Sequence, residues 1–241
     1  MSATESELYA AHAKNLRSLE TALMRIFREL NSALSRDDKS TSNALMKTAM
    51  LLLGSWAEVR LLKLQFEPNG FDPRDRSIIV SERSQINRWH KALEIGFRKR
   101  NNLPRANLET ALPVTHRAYF VTLRDALNES LEPLILVRNK LAHGQWEVAL
   151  NSQNNNLAPT TQSRIDSENA LSLKFKKSAL NSLAQIINDL VAGNHAFERD
   201  IDRNFGKFEN ATRSVSTRSY SDWLTQMKEK YQRGKERKAL V

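Results

Sequence analysis

Arg138, Asn139 and His143 lie within one six-residue stretch, Arg-Asn-Lys-Leu-Ala-His, and their types and spacing are the ones in this 241-residue chain best suited to chemistry. An imidazole, which ordinarily titrates at about pH 6.5, can take up or release a proton near neutrality. A guanidinium can grip a phosphate through two parallel N–H bonds and offset charge developing on its oxygens. Asn139 can orient the imidazole or donate to a phosphate oxygen. At about 100° per residue, Asn139 and His143 stand one turn apart on one face of a helix. Arg138 and His143 would be splayed on an ideal helix, but Gly144 stops the helix and lets His143 turn back toward the arginine. Glu58, beside Trp56 on an apolar helix, is either the partner of Arg138 or an exposed carboxylate at a helix edge. Gln145 and Trp146, directly after the motif, are further supporting candidates.

Other chemistries find less support. The remaining histidines, His12, His90, His116 and His195, sit in polar helical surroundings, and none has a second histidine four residues away as a helical zinc site needs. No metal site and no cofactor is expected. There is no phosphate-cradling glycine loop and no nucleophile elbow. With no cysteine in the chain, disulfides, thiolate metal sites and cysteine nucleophiles are excluded, which fits a reducing compartment. The N-terminus lacks the basic and apolar regions of a secretory signal, and no apolar run reaches membrane-spanning length. A cytoplasmic protein without a membrane partner is expected.

The elements that must position the motif read as long helices. Seven glycines and six prolines leave few sharp turns. Thr4 and Glu7 form a capping-box pattern, opening a helix to about Leu34 with Leu16, Leu19, Leu23, Ile26, Leu30 and Ala33 on one seam. A second helix, from about Asn43 to Phe66, is apolar on most sides and therefore central. Glu67–Pro73 is turn chemistry, and Ser81 caps a third helix to about Lys99. Pro113 opens the helix that carries the motif, and Pro133 within it should kink it or restart it. The alternation in Trp146–Leu150 and Leu171–Phe175 suggests a short β-hairpin over about 146–175. A long helix with Leu180, Leu183, Ile187, Leu190, Asn194, Phe197, Ile201, Asn204 and Phe208 at three-four spacing follows. Its two asparagines either fix register in a helix pair or sit near solvent in an intramolecular packing. A basic amphipathic helix spans about Tyr220–Glu236. The fold class is all-α, with a helical domain over 1–212 and a basic extension over 213–241.

The formal charge is +10, and residues 213–241 alone carry eight Lys/Arg against three Asp/Glu. Such a balance points to nucleic acid or another anionic surface, although a basic tail can also be simply solvated. Arg98, Lys99, Arg100 and Arg105 form a second basic cluster.

The segment Leu134–Gly144 resembles the HEPN superfamily (higher eukaryotes and prokaryotes nucleotide-binding domain). The signature of that family is an Arg followed within a few residues by His, often with Asn, Asp or His directly after the Arg. Here an apolar helix precedes R-N-K-L-A-H and a glycine stop follows, and a bundle of long helices over roughly 1–212 extends the likeness. The resemblance implies a bundle of HEPN type and a metal-independent endoribonuclease, typically a toxin of a toxin–antitoxin system or an effector of antiviral defence. It also implies a homodimer that brings two motifs to one cleft, and an antitoxin or defence-system partner protein. Arg138, Asn139 and His143 are then the catalytic residues. Lys140, Arg98, Lys99, Arg100 and Arg105 are the RNA-binding candidates. One branch of the family carries a Tyr two residues after the His, where this chain has Gln145, so control by modification of that position is not expected.

Two other readings stand beside it. In one, the chain is a non-catalytic HEPN-like module that binds nucleic acid or a partner protein. In the other, it is a structural helical adaptor in which Arg138 caps carbonyls and His143 complements the helix dipole.

Overall fold

The computed structural model describes residues 3–193 and 195–239, and among them the chain consists of helices and connections without a strand. The all-α class read from the sequence is therefore the observed one. Helix α1 (Glu5–Ser35) opens on the expected capping box: the Thr4 hydroxyl accepts from the Glu7 N–H at 3.3 Å, and the Glu7 carboxylate accepts from the Thr4 N–H at 2.8 Å. Helix α2 (Lys39–Gln65) begins earlier than about Asn43, because Asp38 caps it by accepting from the Thr41 N–H at 3.0 Å. The expected third helix is two. Asp72 and Asp75 form a capping box, and with Pro73 in the first turn they start α3 (Pro73–Ser81). Ser84, not Ser81, then caps α4 (Gln85–Arg100). The Asp-Pro pair at the end of the turn-rich stretch is thus a helix start.

After the short α5 (Leu108–Ala111) comes α6 (Val114–Ala126), a π-helical turn (Leu127–Leu131) and α7 (Glu132–Ala142). The β-hairpin is overturned. Leu150 and Leu157 form an isolated antiparallel bridge, α8 (Pro159–Asp166) follows, and Leu171–Phe175 is the start of α9 (Ala170–Ala192). Asn169 caps that helix, accepting from the N–H groups of Leu171 and Ser172, so the apolar alternation there is the face of a helix.

The long late helix is also overturned, since it breaks at Gly193 and resumes as α10 (Ala196–Thr217), packed back on α9. Both helices bury the same seam against each other, so the spacing continues across the break. Asn204 lies buried on that seam and donates to Asp189 at 3.3 Å. The packing is intramolecular, but this asparagine is not near solvent. Asn194, the other seam asparagine, lies outside the described residues. The basic extension begins in the last turns of α10 and continues as α11 (Tyr220–Ala239), which packs on α1 with Met227 buried and Lys228 ion-paired to Asp37.

Helix α2 is central, packing against α1, α7 and α9 with Met50, Leu53, Trp56, Leu61 and Leu64 almost fully buried. Among the described residues no helix is long and apolar enough to cross a membrane.

Candidate active site

The site is built on the end of α7, and the π-turn decides which face that end presents. Pro133 has no N–H, and its ring would collide with the carbonyl one turn back in a regular helix. The chain accommodates it by widening the preceding turn, where the Glu132 N–H bonds to the Leu127 carbonyl five residues back. Pro133 then occupies the first turn of α7, the restart expected from the sequence. The extra residue in the wide turn rotates everything downstream, and Leu134, Ile135, Val137 and Leu141 face the core.

Arg138 stands at the edge of that buried face. Helix α7 passes α2 at Gly54, where an added Cβ would lie 2.8 Å from the Arg138 Cγ, closer still to its Cβ, and 3.2 Å from the Leu134 carbonyl. Only a residue without a side chain lets the two helices come this near. From there the guanidinium, 22% exposed, reaches the Glu58 carboxylate on the next turn of α2 and forms an ion pair through Nη2. Its Nη1 donates to the Asn139 side-chain oxygen at 3.0 Å. Of the two alternatives for Glu58, pairing with Arg138 is the one observed, and Asn139 contacts the arginine rather than the histidine. Gly54 was not anticipated, although a glycine inside the apolar run Leu51-Leu52-Leu53-Gly54 is a recognised sign of close helix packing.

His143 caps α7. Its backbone N–H is shared between the carbonyls of Asn139 and Lys140, each at 3.2 Å, and its side chain is exposed. Gly144, at φ +78°, takes the left-handed conformation that the helix stop requires. Its N–H bonds to the Leu141 carbonyl at 3.1 Å, and the Gln145 N–H bonds to the Lys140 carbonyl at 3.0 Å, which is a Schellman motif. Gln145 and Trp146 clamp the loop that follows. The Gln145 side chain donates to Asn154 at 2.9 Å and accepts from the Leu150 N–H at 2.8 Å, while the Trp146 indole donates to the Leu141 carbonyl at 2.9 Å. These clamps hold the exposed end of α7 in one conformation.

The structure thus joins Arg138, Asn139 and Glu58 directly and leaves the His143 imidazole with no hydrogen bond or ion pair among the described residues. Lys140 is half-buried beside them and makes no ion pair among those residues either. The second basic cluster is differently placed, at the end of α4. Arg98 pairs with Glu94 and donates to the Leu103 and Ala106 carbonyls. Lys99 pairs with Asp75 at 2.7 Å and donates to the Gly70 carbonyl. Arg100 pairs with Glu198, donates to the Leu190 and Gly193 carbonyls and lies over the Phe197 ring. Arg105 is exposed on the loop after α4 and makes no ion pair among the described residues.

Chemically, the end of α7 offers one proton-transfer group, one oriented cation and one free lysine. No group of three His, Asp or Glu side chains is placed to hold a metal ion among the described residues. Comparison with family models, with curated proteins and with solved structures finds no match to this chain.

Proposed function

We propose that this protein is a metal-independent RNA endonuclease of HEPN type, acting as a toxin or an anti-phage effector. The observation that carries the reading is the end of α7, where an arginine oriented by Glu58 and Asn139 sits five residues before an exposed histidine fixed by a Schellman stop. The RNA itself supplies the nucleophile, its 2′-hydroxyl. The 2′-oxygen attacks the adjacent phosphorus as its proton passes to an imidazole, and the bond from phosphorus to the 5′-oxygen breaks. That oxygen takes a proton from a second imidazole, leaving a 2′,3′-cyclic phosphate and a 5′-OH. Each such proton transfer contributes typically ~10²–10⁴-fold. Arg138 offsets the charge on the phosphate oxygens. One chain supplies one suitable imidazole, so the second is assigned to His143 of the partner subunit in a two-fold homodimer, the commonest oligomeric form.

End-group analysis of cleaved RNA in EDTA tests this. Cyclic-phosphate and 5′-OH ends, lost with His143→Ala or Arg138→Ala and absent with DNA, support it. Arg138→Lys should also be poor, because an ammonium lacks the guanidinium fork. Strict Mg²⁺ dependence with 5′-phosphate ends, or full activity without His143, removes it. Sedimentation showing a monomer at micromolar concentration removes the composite site.

One observation favours a second reading, a non-catalytic nucleic-acid-binding module. The Arg138 guanidinium is already ion-paired to Glu58, and a phosphate must compete for it. Tight RNA binding without cleavage by the dimer would decide for that reading.

A further inference from the structure

The basic cluster on α4 is tied into ion pairs, yet the molecule has another surface where cations gather, three of its four without an ion pair among the described residues. Helices α1, α9 and α11 enclose a groove of about 910 Å³ whose lining includes Arg28, Lys174, Lys177 and Lys230 and, among the described residues, no aspartate or glutamate. Among the described residues Arg28, highly exposed, pairs with the neighbouring Glu29, and the three lysines make no ion pair. The same lining includes three aromatic side chains, Phe27, Trp223 and Tyr231, all half-buried. Trp223 is held in place by stacking on Tyr220, with ring centroids 5.7 Å apart and planes 25° apart.

We propose that this groove binds single-stranded RNA, with the cations on the phosphates and the aromatic rings under unstacked bases. The choice of RNA rests on the endonuclease reading above; the groove itself states the rest. Four cations without a carboxylate select a polyanion, and a second copy of a chain of net charge +10 is a poor electrostatic match. Cations alone would serve an acidic peptide as well, but aromatic rings sharing a groove with cations are the stacking platform that single-stranded nucleic acid uses. The groove is formed by three helices far apart in the chain, so it also gives the basic extension a role as one wall of a binding site.

The test measures binding of a fluorescent 2′-O-methyl RNA of roughly 12 nucleotides, within the span such grooves cover, to the full-length protein. The 2′-O-methyl group blocks the proposed nucleophile, so binding is read without cleavage. Lys174→Glu with Lys177→Glu should weaken binding at least about tenfold and make the salt dependence shallower by ~0.7 per lost phosphate contact. Trp223→Ala should weaken it by about tenfold or more, and Trp223→Phe should recover most of the loss. Arg83→Glu, which reverses an exposed charge outside the groove, should change affinity by less than the pair of lysine changes. Thermal melting of each variant confirms that it is folded. The proposal is overturned if folded groove variants bind with wild-type affinity and salt slope, or if inorganic polyphosphate competes as well as RNA while Trp223→Ala is harmless. It is also overturned if DNA is held and RNA is not, or if the lysine changes alter oligomeric mass and leave RNA affinity intact. Groove variants that lose binding in a protein that never cleaves RNA would uphold the groove and remove the endonuclease. Normal cleavage with binding indifferent to the groove would do the reverse.

Discussion

The last turns of α4 and α7 look alike as sequence, each an apolar helix ending in cationic residues, yet the fold treats them in opposite ways. At the end of α4, Arg98, Lys99 and Arg100 each meet a carboxylate and at least one backbone carbonyl, and Arg100 also covers an aromatic ring. These cations fasten α4 to α3, α9 and α10. At the end of α7 Arg138 is tied to Glu58, whereas the His143 and Lys140 side chains make no hydrogen bond or ion pair among the described residues. A run of positive charge is thus no binding surface until the neighbours are known. What matters is whether the acids that neutralise it come from the same molecule or from a ligand.

The comparison breaks most sharply on the histidine. His143→Ala should lower RNA cleavage by roughly 10²–10⁴-fold with circular dichroism and melting temperature unchanged, while Arg98→Ala should cost stability more than cleavage. If the two variants lose cleavage alike, the ends of α4 and α7 do not differ as described. Gly54→Ala should destabilise the protein by about 1–3 kcal/mol, read from urea unfolding, because the new methyl group meets Arg138 at the helix crossing. Cleavage should fall with it as Arg138 is displaced. Wild-type stability in that variant would mean that the glycine does not set the approach of α2 and α7.

Arg100→Ala should cost about 1–3 kcal/mol, since two carbonyls, a carboxylate and a ring lose their partner. The hydrogen bond from Arg100 holds the Glu198 carboxyl below its ordinary value. Its contribution is present above the unfolded carboxylate pKa and is lost as pH falls through the depressed folded value. The gap between wild type and variant should therefore narrow on acidification, and a gap that widens below pH 4 speaks against this account.

Asp189 titrates in the opposite sense. Burial pushes its carboxyl up, so its contribution is complete below the unfolded pKa and is lost as pH rises through the raised folded value. Relative to wild type, Asp189→Asn should gain stability as pH rises from 4 to 7. Parallel stability curves for the two proteins would contradict it. Smallest of all, Lys99→Ala should change stability by no more than about 1 kcal/mol, as exposed ion pairs do. A larger loss in thermal melting would mean that the ion pair of Lys99 with Asp75 is worth more than an exposed one.

What the amino-acid sequence determined by itself is what neighbours along the chain decide. The Thr4–Glu7 cap, the Pro133 restart and the Gly144 stop were all legible, because a cap, a ring clash or a left-handed residue acts within one helical turn. The pairing of Arg138 with Glu58 was one of two alternatives the sequence left open, and the packing of α7 on α2 decided between them. The hairpin was misread where a local signal was passed over, the Asn169–Ser172 cap that turns Leu171–Phe175 into helix. The rest depended on residues distant in the chain. That Arg100 is paired to Glu198 depends on the return of α10, which brings that carboxylate beside it. The break at Gly193 is hidden in the pattern because helix and return helix bury one continuous seam. The groove cations of α1, α9 and α11 are scattered over two hundred residues and form one surface only after packing. Charge and periodicity are properties of a segment, whereas neutralisation and enclosure are properties of pairs, and the pairs exist only in the folded chain.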